Sequence, residues 1–228
     1  MKFTATLSTA LVLAATFAAN PVRAEDSTPG LTTEDKEAFY TQVIEGRVEA
    51  IMKALAIADT AKAARVHDAI ILQYRSLRIR DAALTAKAKG AATTDSRATA
   101  VNISKPLHEW FVSVLSLDLT AEQLELVKDH MTYNKVKVTF TAYCDIVPGL
   151  TEKDKAKILE LLKAAREEAM DGGSATEKSA VFQKFKDQIN EYLNANGHDV
   201  AKAYKDWEAK LPPKKDESAA TPATPAAK

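Results

Sequence analysis

Almost every segment of residues 33–211 places its apolar residues at spacings of three, four and seven, and few glycines or prolines interrupt the pattern. This is the period of a helix with one buried face, whereas a half-buried strand alternates every second residue. A chain with this pattern lacks the strands needed to build a sheet, so its helices must pack against one another. The sequence therefore predicts an all-α fold, a single bundle-like domain of six to eight helices over residues 33–211.

Several segments begin with residues that cap helix N-termini. Thr120 and Ser174 stand three residues before Gln123 and Glu177, which is the capping-box arrangement. N-caps are also expected at Thr33, Asp59, Thr151 and Asp199, and helix ends at Gly172-Gly173 and Asn196-Gly197. Pro106 is expected early in its helix, because proline suits the first turn.

Apolar spacing also predicts which helix faces are buried. For the first helix the predicted face contains Phe39, Val43, Val48, Ile51 and Leu55. For the helix after Pro106 it contains Leu107, Trp110, Val114 and Leu117. The buried stripe of the second helix includes a carboxylate, Asp81, four residues after Leu77.

Two stretches depart from the helical pattern. Residues 134–141 alternate Val136, Val138 and Phe140 with lysine and threonine, which is typical of a strand. A lone strand has no partner here, so we predict an extended segment that leads into a short helix. Residues 90–102 are small and polar, which favours a loop or a weak helix.

Residues 1–24 have the pattern of a secretory signal peptide. Lys2 provides the positive start, an apolar run follows, and Val22-Arg23-Ala24 matches the small-residue cleavage pattern. We expect cleavage after Ala24 and a periplasmic or secreted product. A flexible lead at 25–32 and a disordered tail rich in Pro, Ala, Thr and Lys at 212–228 then flank the domain.

Charge and cysteine content exclude several classes of protein. Two of the 31 basic residues, Lys2 and Arg23, lie in the predicted signal peptide, which holds no acid, so 29 basic residues face 31 acidic ones afterwards. No nucleic-acid partner is expected, because such domains normally carry a basic surface. Cys144 alone cannot form an internal disulfide. No second apolar run approaches the roughly 20 residues of a membrane-spanning helix, so no stable insertion is expected after cleavage.

Motifs for metal binding and catalysis are absent from the sequence. Each of the four histidines, His67, His108, His130 and His198, stands beside an acidic residue, but adjacent residues face different sides of a helix. There is no His-Glu-x-x-His, Cys-x-x-Cys, Gly-x-Ser-x-Gly or glycine-rich phosphate loop. Neither a metal, a cofactor nor a catalytic residue is predicted.

Two carboxylates, Asp81 and Asp129, are the better candidates for a polar site. A buried carboxylate needs a partner, and Arg78, Arg80, Lys128 or Arg166 can supply one. Two interpretations stay open: a salt bridge between helices, or a carboxylate that lines a pocket. The larger aromatics are either core residues or platforms for a sugar ring, namely Trp110, Tyr133, Tyr143, Tyr192 and Trp207.

Five stretches occur in a characteristic order: QYR at 73–75 with Asp81 downstream, KDHMTY at 128–133, AREEAMD at 165–171, FQKFK at 182–186 and INEYL at 189–193. Together they resemble a secreted bacterial family of unknown function that is labelled as sugar-binding, over nearly all of residues 33–211. The resemblance implies a carbohydrate ligand and an association with polysaccharide utilisation. The positions it favours for binding are Tyr74, Asp81, Asp129, Tyr133, Arg166, Asp171, Asn190 and Tyr192.

Two other functions remain open at this point. A glycan-active hydrolase or lyase would use two of Asp81, Asp129, Glu167 and Asp171 as acid and base. A periplasmic helical chaperone is the other, because Leu119-Thr120-Ala121-Glu122-Gln123 is similar to the Leu-Thr-x-x-Gln pattern of Spy-like chaperones. An enzyme is less favoured than a binding protein, and nothing in the pattern fixes an oligomeric state.

The signal-peptide interpretation predicts the terminus of the exported protein. Expressed in a bacterium with its own N-terminus, the protein should begin at Glu25, which intact-mass measurement and N-terminal sequencing of the exported fraction will detect. Recovery of exported protein that still begins at Met1 would contradict the interpretation.

Overall fold

The computed structural model describes residues 32–90 and 95–211, which form eight helices and no strand. The helices are α1 (Thr33–Leu55), α2 (Thr60–Gly90), α3 (Asp95–Ser116), α4 (Ala121–Met131), α5 (Lys135–Ile146), α6 (Glu152–Met170), α7 (Ala175–Ala195) and α8 (Val200–Glu208). The predicted all-α class is confirmed. The predicted signal peptide, all of the lead except Thr32, and the tail lie outside the described residues. None of the described helices is long and apolar enough to cross a membrane.

Two hydrophobic clusters organise the packing. The first contains buried side chains of α1, α2, α3 and α4 and of Leu119, between α3 and α4, together with Met170 from the end of α6. The second contains buried side chains of α5, α6, α7 and α8 and of Val147, just after α5. Helix α4 packs against α6, so the two clusters meet along these two helices.

Most of the predicted helix starts are confirmed. Capping boxes begin α4 at Thr120, α6 at Thr151 and α7 at Ser174, and Asp59 and Asp199 cap α2 and α8. The first N-cap is Thr32 and not Thr33, because Asp35 stands three residues after Thr32 and closes a reciprocal box.

The buried faces predicted for α1 and α3 were partly wrong, because some of the residues assigned to them are not buried. In α1 the buried residues are Tyr40, Ile44, Val48, Ile51 and Leu55, because this set follows the 3.6-residue period more closely than one that includes Phe39 and Val43. In α3 the buried residues are Phe111 and Leu115, whereas Trp110 and Leu117 are exposed.

The expectation for Pro106 was also wrong. It lies in the interior of α3, not in its first turn, because the helix already begins at Asp95, inside the stretch expected to be a loop or weak helix. The proline removes one backbone hydrogen bond from the helix. The buried Phe111 and Leu115 follow within three turns and hold the helix on the first cluster.

The predicted extended segment at 134–141 is instead the start of α5, a continuous helix. Its buried residues are Val136, Tyr143 and Ile146, at helical spacings of seven and three, whereas Val138 is exposed. Packing against α6 therefore outweighs the strand preference of its β-branched residues.

Asp154 anchors the start of α6 to α7 and to the turn before α8. Its carboxylate accepts hydrogen bonds from the Thr151 backbone N–H at 2.9 Å and hydroxyl at 2.6 Å, and from the Tyr192 hydroxyl at 3.2 Å. His198 Nε2 lies 3.3 Å from the same carboxylate. These bonds, with the Thr151 hydroxyl first, lower the pKa of Asp154 to about 2.

The depressed pKa of Asp154 makes its contribution to stability depend on pH. In the unfolded chain the pKa of this carboxyl group is about 3.9. The stability that ionised Asp154 contributes is therefore complete above that pH, and it is lost as pH falls from about 4 towards 2. In thermal melts Asp154→Asn should lower Tm at pH 6, and the gap to the wild type should shrink as pH approaches 2. The exposed Asp145→Asn serves as control and should melt like the wild type; a gap for Asp154→Asn that does not change with pH would refute the assignment.

Candidate functional site

A network of ion pairs lies where α4 of the first cluster meets α6 of the second. Its centre is Arg166, whose side chain is only 3% exposed. Arg166 Nη1 donates to Asp129 Oδ1 at 2.7 Å, and Nη2 donates to Glu125 and, at 3.3 Å, to Glu167 Oε1. One arginine thus ties two carboxylates of α4 to α6. We call the set Glu125, Lys128, Asp129, Arg166, Glu167, His108 and Asp171 the ion-pair network.

The network continues from α6 to α3. Lys128 Nζ donates to both Glu167 oxygens at 3.1 and 3.0 Å, and His108 Nε2 lies 3.7 Å from Glu167. At the end of α6 the other ring nitrogen of His108 lies 3.1 Å from Asp171 Oδ1. The bond to Asp171 raises the pKa of His108, against the opposing effect of burial. Every charged member of this set therefore has an oppositely charged neighbour.

Asp81 lies against the α6–α7 turn. Its Oδ1 accepts from Arg80 Nε at 2.8 Å and Nη2 at 2.6 Å. Its Oδ2 is so close to Gly173 that a Cβ added there would lie only 1.6 Å away. Burial raises the pKa of Asp81, although Arg80 opposes the shift. The carboxylate interrupting the α2 stripe is thus held by an arginine and by a glycine that leaves room for it.

Lys178 is buried beneath the same turn. It is 1% exposed, and Nζ donates to the backbone carbonyls of Ala169 at 3.2 Å and Met170 at 3.4 Å. Burial first, and then the charge of Arg47, lowers its pKa to about 8. The ammonium satisfies carbonyls at the C-terminus of α6, where a positive charge is favoured.

Arg47 differs from the other buried or half-buried arginines of the site. Its guanidinium carbon lies 5.7 Å from the centre of the Tyr74 ring and 5.9 Å from that of Tyr133. Nη2 is fully buried and has no hydrogen-bond partner, and among the described residues no carboxylate lies within 4 Å of the side chain. A desolvated guanidinium nitrogen without an acceptor costs roughly 1–3 kcal/mol or more.

The backbone around Tyr133 is strained. Tyr133 has a φ of +60°, in the left-handed region that bulky residues seldom occupy, and Asn134, a residue type that enters this region more readily, has a φ of +53°. This conformation turns the chain from α4 into α5 and holds the Tyr133 ring beside Arg47. Strain of this kind, of the order of 1–3 kcal/mol per residue, tends to be retained at functional sites.

A second unsatisfied group lies on α2 next to Tyr74. Gln73 is 1% exposed, and neither its amide oxygen nor its amide nitrogen has a hydrogen-bond partner among the described residues. One buried stripe of α2 contains Gln73, Leu77 and Arg80, at positions i, i+4 and i+7. Gln73 therefore adds two buried hydrogen-bonding groups that the described protein does not satisfy, on the helix that carries Tyr74.

The structure divides the eight residues favoured from the sequence. Asp129, Arg166 and Asp171 belong to the ion-pair network, Tyr74 and Tyr133 flank Arg47, and Asp81 lies on the α6–α7 turn. Electrostatic interactions of Lys178 with Arg47, Arg80 and Asp171 place these groups in one region.

The other two residues lie elsewhere. Tyr192 binds Asp154 at the start of α6, about 25 Å along that helix from Asp171 at 1.5 Å per residue. Asn190 accepts a hydrogen bond from the Tyr143 hydroxyl at 2.8 Å, twelve residues along α7 from Lys178 and therefore about 18 Å away.

Four polar residues of the region were not predicted: Arg47, Gln73, His108 and Lys178. Two of them carry the signal that pointed to Asp81, a charge inside an apolar helical stripe. Arg47 stands between Ile44 and Ile51 at helical spacing, and Lys178 stands four residues before Phe182. Within the described ranges no group of three or more His, Cys, Asp or Glu side chains is placed to hold a metal ion.

Residues 41–212 match a family described as "Protein of unknown function (DUF3826)". The chain belongs to this family. The match spans α1 to α8 from the middle of α1 onwards, so it contains every residue of the site described above. No curated protein matches the sequence. Membership of the DUF3826 family therefore establishes common descent and assigns no activity.

The contact between Gly173 and Asp81 yields a test of the local geometry in this DUF3826 protein. Gly173→Ala should lower the free energy of unfolding by about 1–2 kcal/mol, because the new methyl group displaces the Asp81 carboxylate from Arg80. In an Asp81→Ala background the same substitution should cost much less, which a double-mutant cycle measured by denaturant unfolding will reveal.

Gly46→Ala is the matched control for that cycle. A Cβ at Gly46, in the interior of α1, meets nothing within 4 Å, so this substitution should stabilise by about 0.5–1 kcal/mol. Equal costs of Gly173→Ala with and without Asp81 would contradict the contact.

Proposed function

We propose that the protein is an exported carbohydrate-binding protein, associated with polysaccharide utilisation, and that its ligand contacts Arg47 between Tyr74 and Tyr133. Export rests on the signal-peptide pattern of residues 1–24. Carbohydrate as ligand rests on the resemblance in sequence and on the chemistry of these three side chains.

The observation that carries the proposal is that Arg47 has no carboxylate partner and a buried Nη2 without a hydrogen-bond acceptor. Arginine offers five N–H donors in a planar fork, and its buried Nη2 has no acceptor within the described protein. Hydroxyl, ring and carboxyl oxygens of a sugar are acceptors for a guanidinium, and they reach the buried Nη2 when the side chains around it move apart. In the ion-pair network, by contrast, Arg166 donates to three carboxylates.

The surroundings of Arg47 suit a sugar in two further respects. Tyr133 is half-buried and presents an aromatic ring beside the guanidinium, and rings of this kind pack on the C–H faces of pyranoses. Lys178 interacts electrostatically with Arg47, and a second positive charge near the guanidinium favours an electron-rich oxygen there. Aromatic faces with a few fixed polar groups are the usual composition of small-molecule sites.

One observation favours glycan cleavage as a second candidate. The pKa of Asp81 is raised by burial, which is the property a general acid needs at neutral pH. Hydrolysis also requires a second carboxylate within about 5–9.5 Å on the other side of the bond. The measurement of new reducing ends during a binding experiment separates cleavage from binding alone.

The binding proposal predicts the effect of one substitution. On an array of bacterial and plant glycans, protein beginning at Glu25 should bind a defined subset. Arg47→Gln should reduce the affinity for that subset by at least about tenfold, because a charge-assisted hydrogen bond contributes about 1.5–3 kcal/mol. Isothermal titration calorimetry with the best glycan will provide the affinities.

Arg65→Gln is the matched control, because Arg65 is an exposed arginine paired with Asp118 and lies away from the site. It should bind like the wild type. Circular dichroism must show both variants folded. No binding to any glycan, or equal binding by wild type and Arg47→Gln, would overturn the proposal.

A further inference from the structure

Arg47 differs from the other arginines of the described structure in its lack of an anionic partner. The other five arginines whose side chains are described each have a carboxylate within 4 Å, namely Arg65, Arg75, Arg78, Arg80 and Arg166. Arg47 instead has two aromatic neighbours, and no described residue accepts a hydrogen bond from it. Within the described part of the chain, Arg47 alone therefore offers its guanidinium to an anion from solution.

Arg78 shows how an arginine beside a tyrosine ring is completed within this protein. Its guanidinium carbon lies 3.9 Å from the centre of the Tyr40 ring, and its Nη1 also donates to Glu37 Oε2 at 2.9 Å. An aromatic ring covers a face of the planar guanidinium, whereas a carboxylate binds at its edge, so the two contacts do not compete. Arg47 has the aromatic contacts without the carboxylate. The missing contact is the one that a carboxylate of a ligand supplies.

The edges of the Arg47 guanidinium suit a carboxylate better than a hydroxyl group. A carboxylate accepts two parallel N–H bonds, from Nη2 and Nη1 at one edge or from Nη2 and Nε at the other. Nη2 is fully buried without an acceptor, whereas Nη1 and Nε, which also lack acceptors, are not fully buried. One carboxylate thus satisfies the buried nitrogen together with a neighbour that contacts solvent. A hydroxyl oxygen satisfies one nitrogen and leaves the positive charge uncompensated.

A second cation, Lys178, lies close to Arg47. Its Nζ donates to two backbone carbonyls, and burial together with the charge of Arg47 lowers its pKa to about 8. Asp171 and Glu177 act on Lys178 in the opposite direction. Asp171 pairs with His108 at 3.1 Å, however, and Glu177 accepts from backbone N–H groups of the α6–α7 turn. A carboxylate at Arg47 would therefore reduce the repulsion between the two cations.

We propose that the sugar bound at Arg47 is a uronic acid, whose carboxylate pairs with an edge of the guanidinium while its ring packs against Tyr133. This inference rests on the binding function proposed above and narrows its ligand from carbohydrates in general to acidic ones. In a uronate the carboxylate is bonded directly to the pyranose ring. One residue can therefore place a C–H face on a tyrosine and its charge on the adjacent arginine.

The test compares acidic sugars with neutral sugars of the same shape. Protein beginning at Glu25 is titrated calorimetrically, at low ionic strength, with tetrasaccharides of galacturonate, glucuronate and mannuronate. Each is paired with its carboxyl-reduced counterpart, which keeps the ring stereochemistry and carries a neutral CH₂OH group. At least one acid should bind, and its counterpart should bind at least about tenfold more weakly, because hydrogen bonds between charged groups are the stronger ones. This comparison needs only the wild-type protein, so it does not depend on the folding of a variant.

Arg47→Gln should remove the preference itself, so that the acid and its counterpart bind this variant with similar affinities. Arg78→Gln is the matched control, because it removes an arginine that also lies beside a tyrosine ring but already has Glu37 as its partner. This control should keep the wild-type preference for the acid. Circular dichroism must show both variants folded.

Equal affinities of the wild type for an acid and its counterpart, or a preference for the acid that persists in Arg47→Gln, would overturn the inference. Binding of neutral glycans only would also overturn it and would leave the carbohydrate-binding function standing. The absence of binding to any glycan, acidic or neutral, would overturn both.

Discussion

The structure depends on how a single buried arginine joins two hydrophobic clusters. Arg166 lies on α6 in the second cluster and reaches Glu125 and Asp129 on α4 in the first. Without a positive charge there, two carboxylates would face each other beside an apolar surface, and a lone buried charge is more costly than a buried pair. This interaction extends to α3 through Lys128, Glu167, His108 and Asp171. The network therefore fixes how the two groups of helices meet, and so where α1, α2 and α7 bring their polar side chains together.

Local sequence patterns predicted the helices well, because capping chemistry is local. Thr120, Thr151 and Ser174 each find their partner three residues away, so no tertiary information is needed. The sequence patterns gave wrong predictions where packing between helices determines the local structure. The β-branched residues of α5 alternate as in a strand, and Pro106 resembles a first-turn residue, yet contacts with neighbouring helices make both segments helical throughout. Phase errors in α1 and α3 arose because aromatic and aliphatic residues occur on both sides of the true buried stripe.

The polar site was only partly predictable. A charge within an apolar stripe pointed to Asp81 and Asp129. Asp129 pairs with Arg166 of another helix, whereas Asp81 pairs with Arg80, its neighbour on the same helix. The same signal is present at Arg47 and Lys178. The sequence could not predict which charged residues pair with each other, because pairing depends on distances between helices. Only the structure distinguishes Arg166, which has three carboxylate partners, from Arg47, which lies beside two tyrosine rings and has none. That difference separates a structural arginine from one available to a ligand.

The most direct test of this distinction compares Arg166→Met with Arg47→Met by equilibrium unfolding in denaturant, without ligand. Arg166→Met should lower the free energy of unfolding by about 3 kcal/mol, because it leaves Asp129 without its cation and removes one of the two cations that pair with Glu125. Arg47→Met should leave the free energy unchanged or raise it by up to about 1 kcal/mol, because it removes an unsatisfied buried charge. A loss at Arg47 as large as that at Arg166 would contradict the account and assign Arg47 to the structural framework.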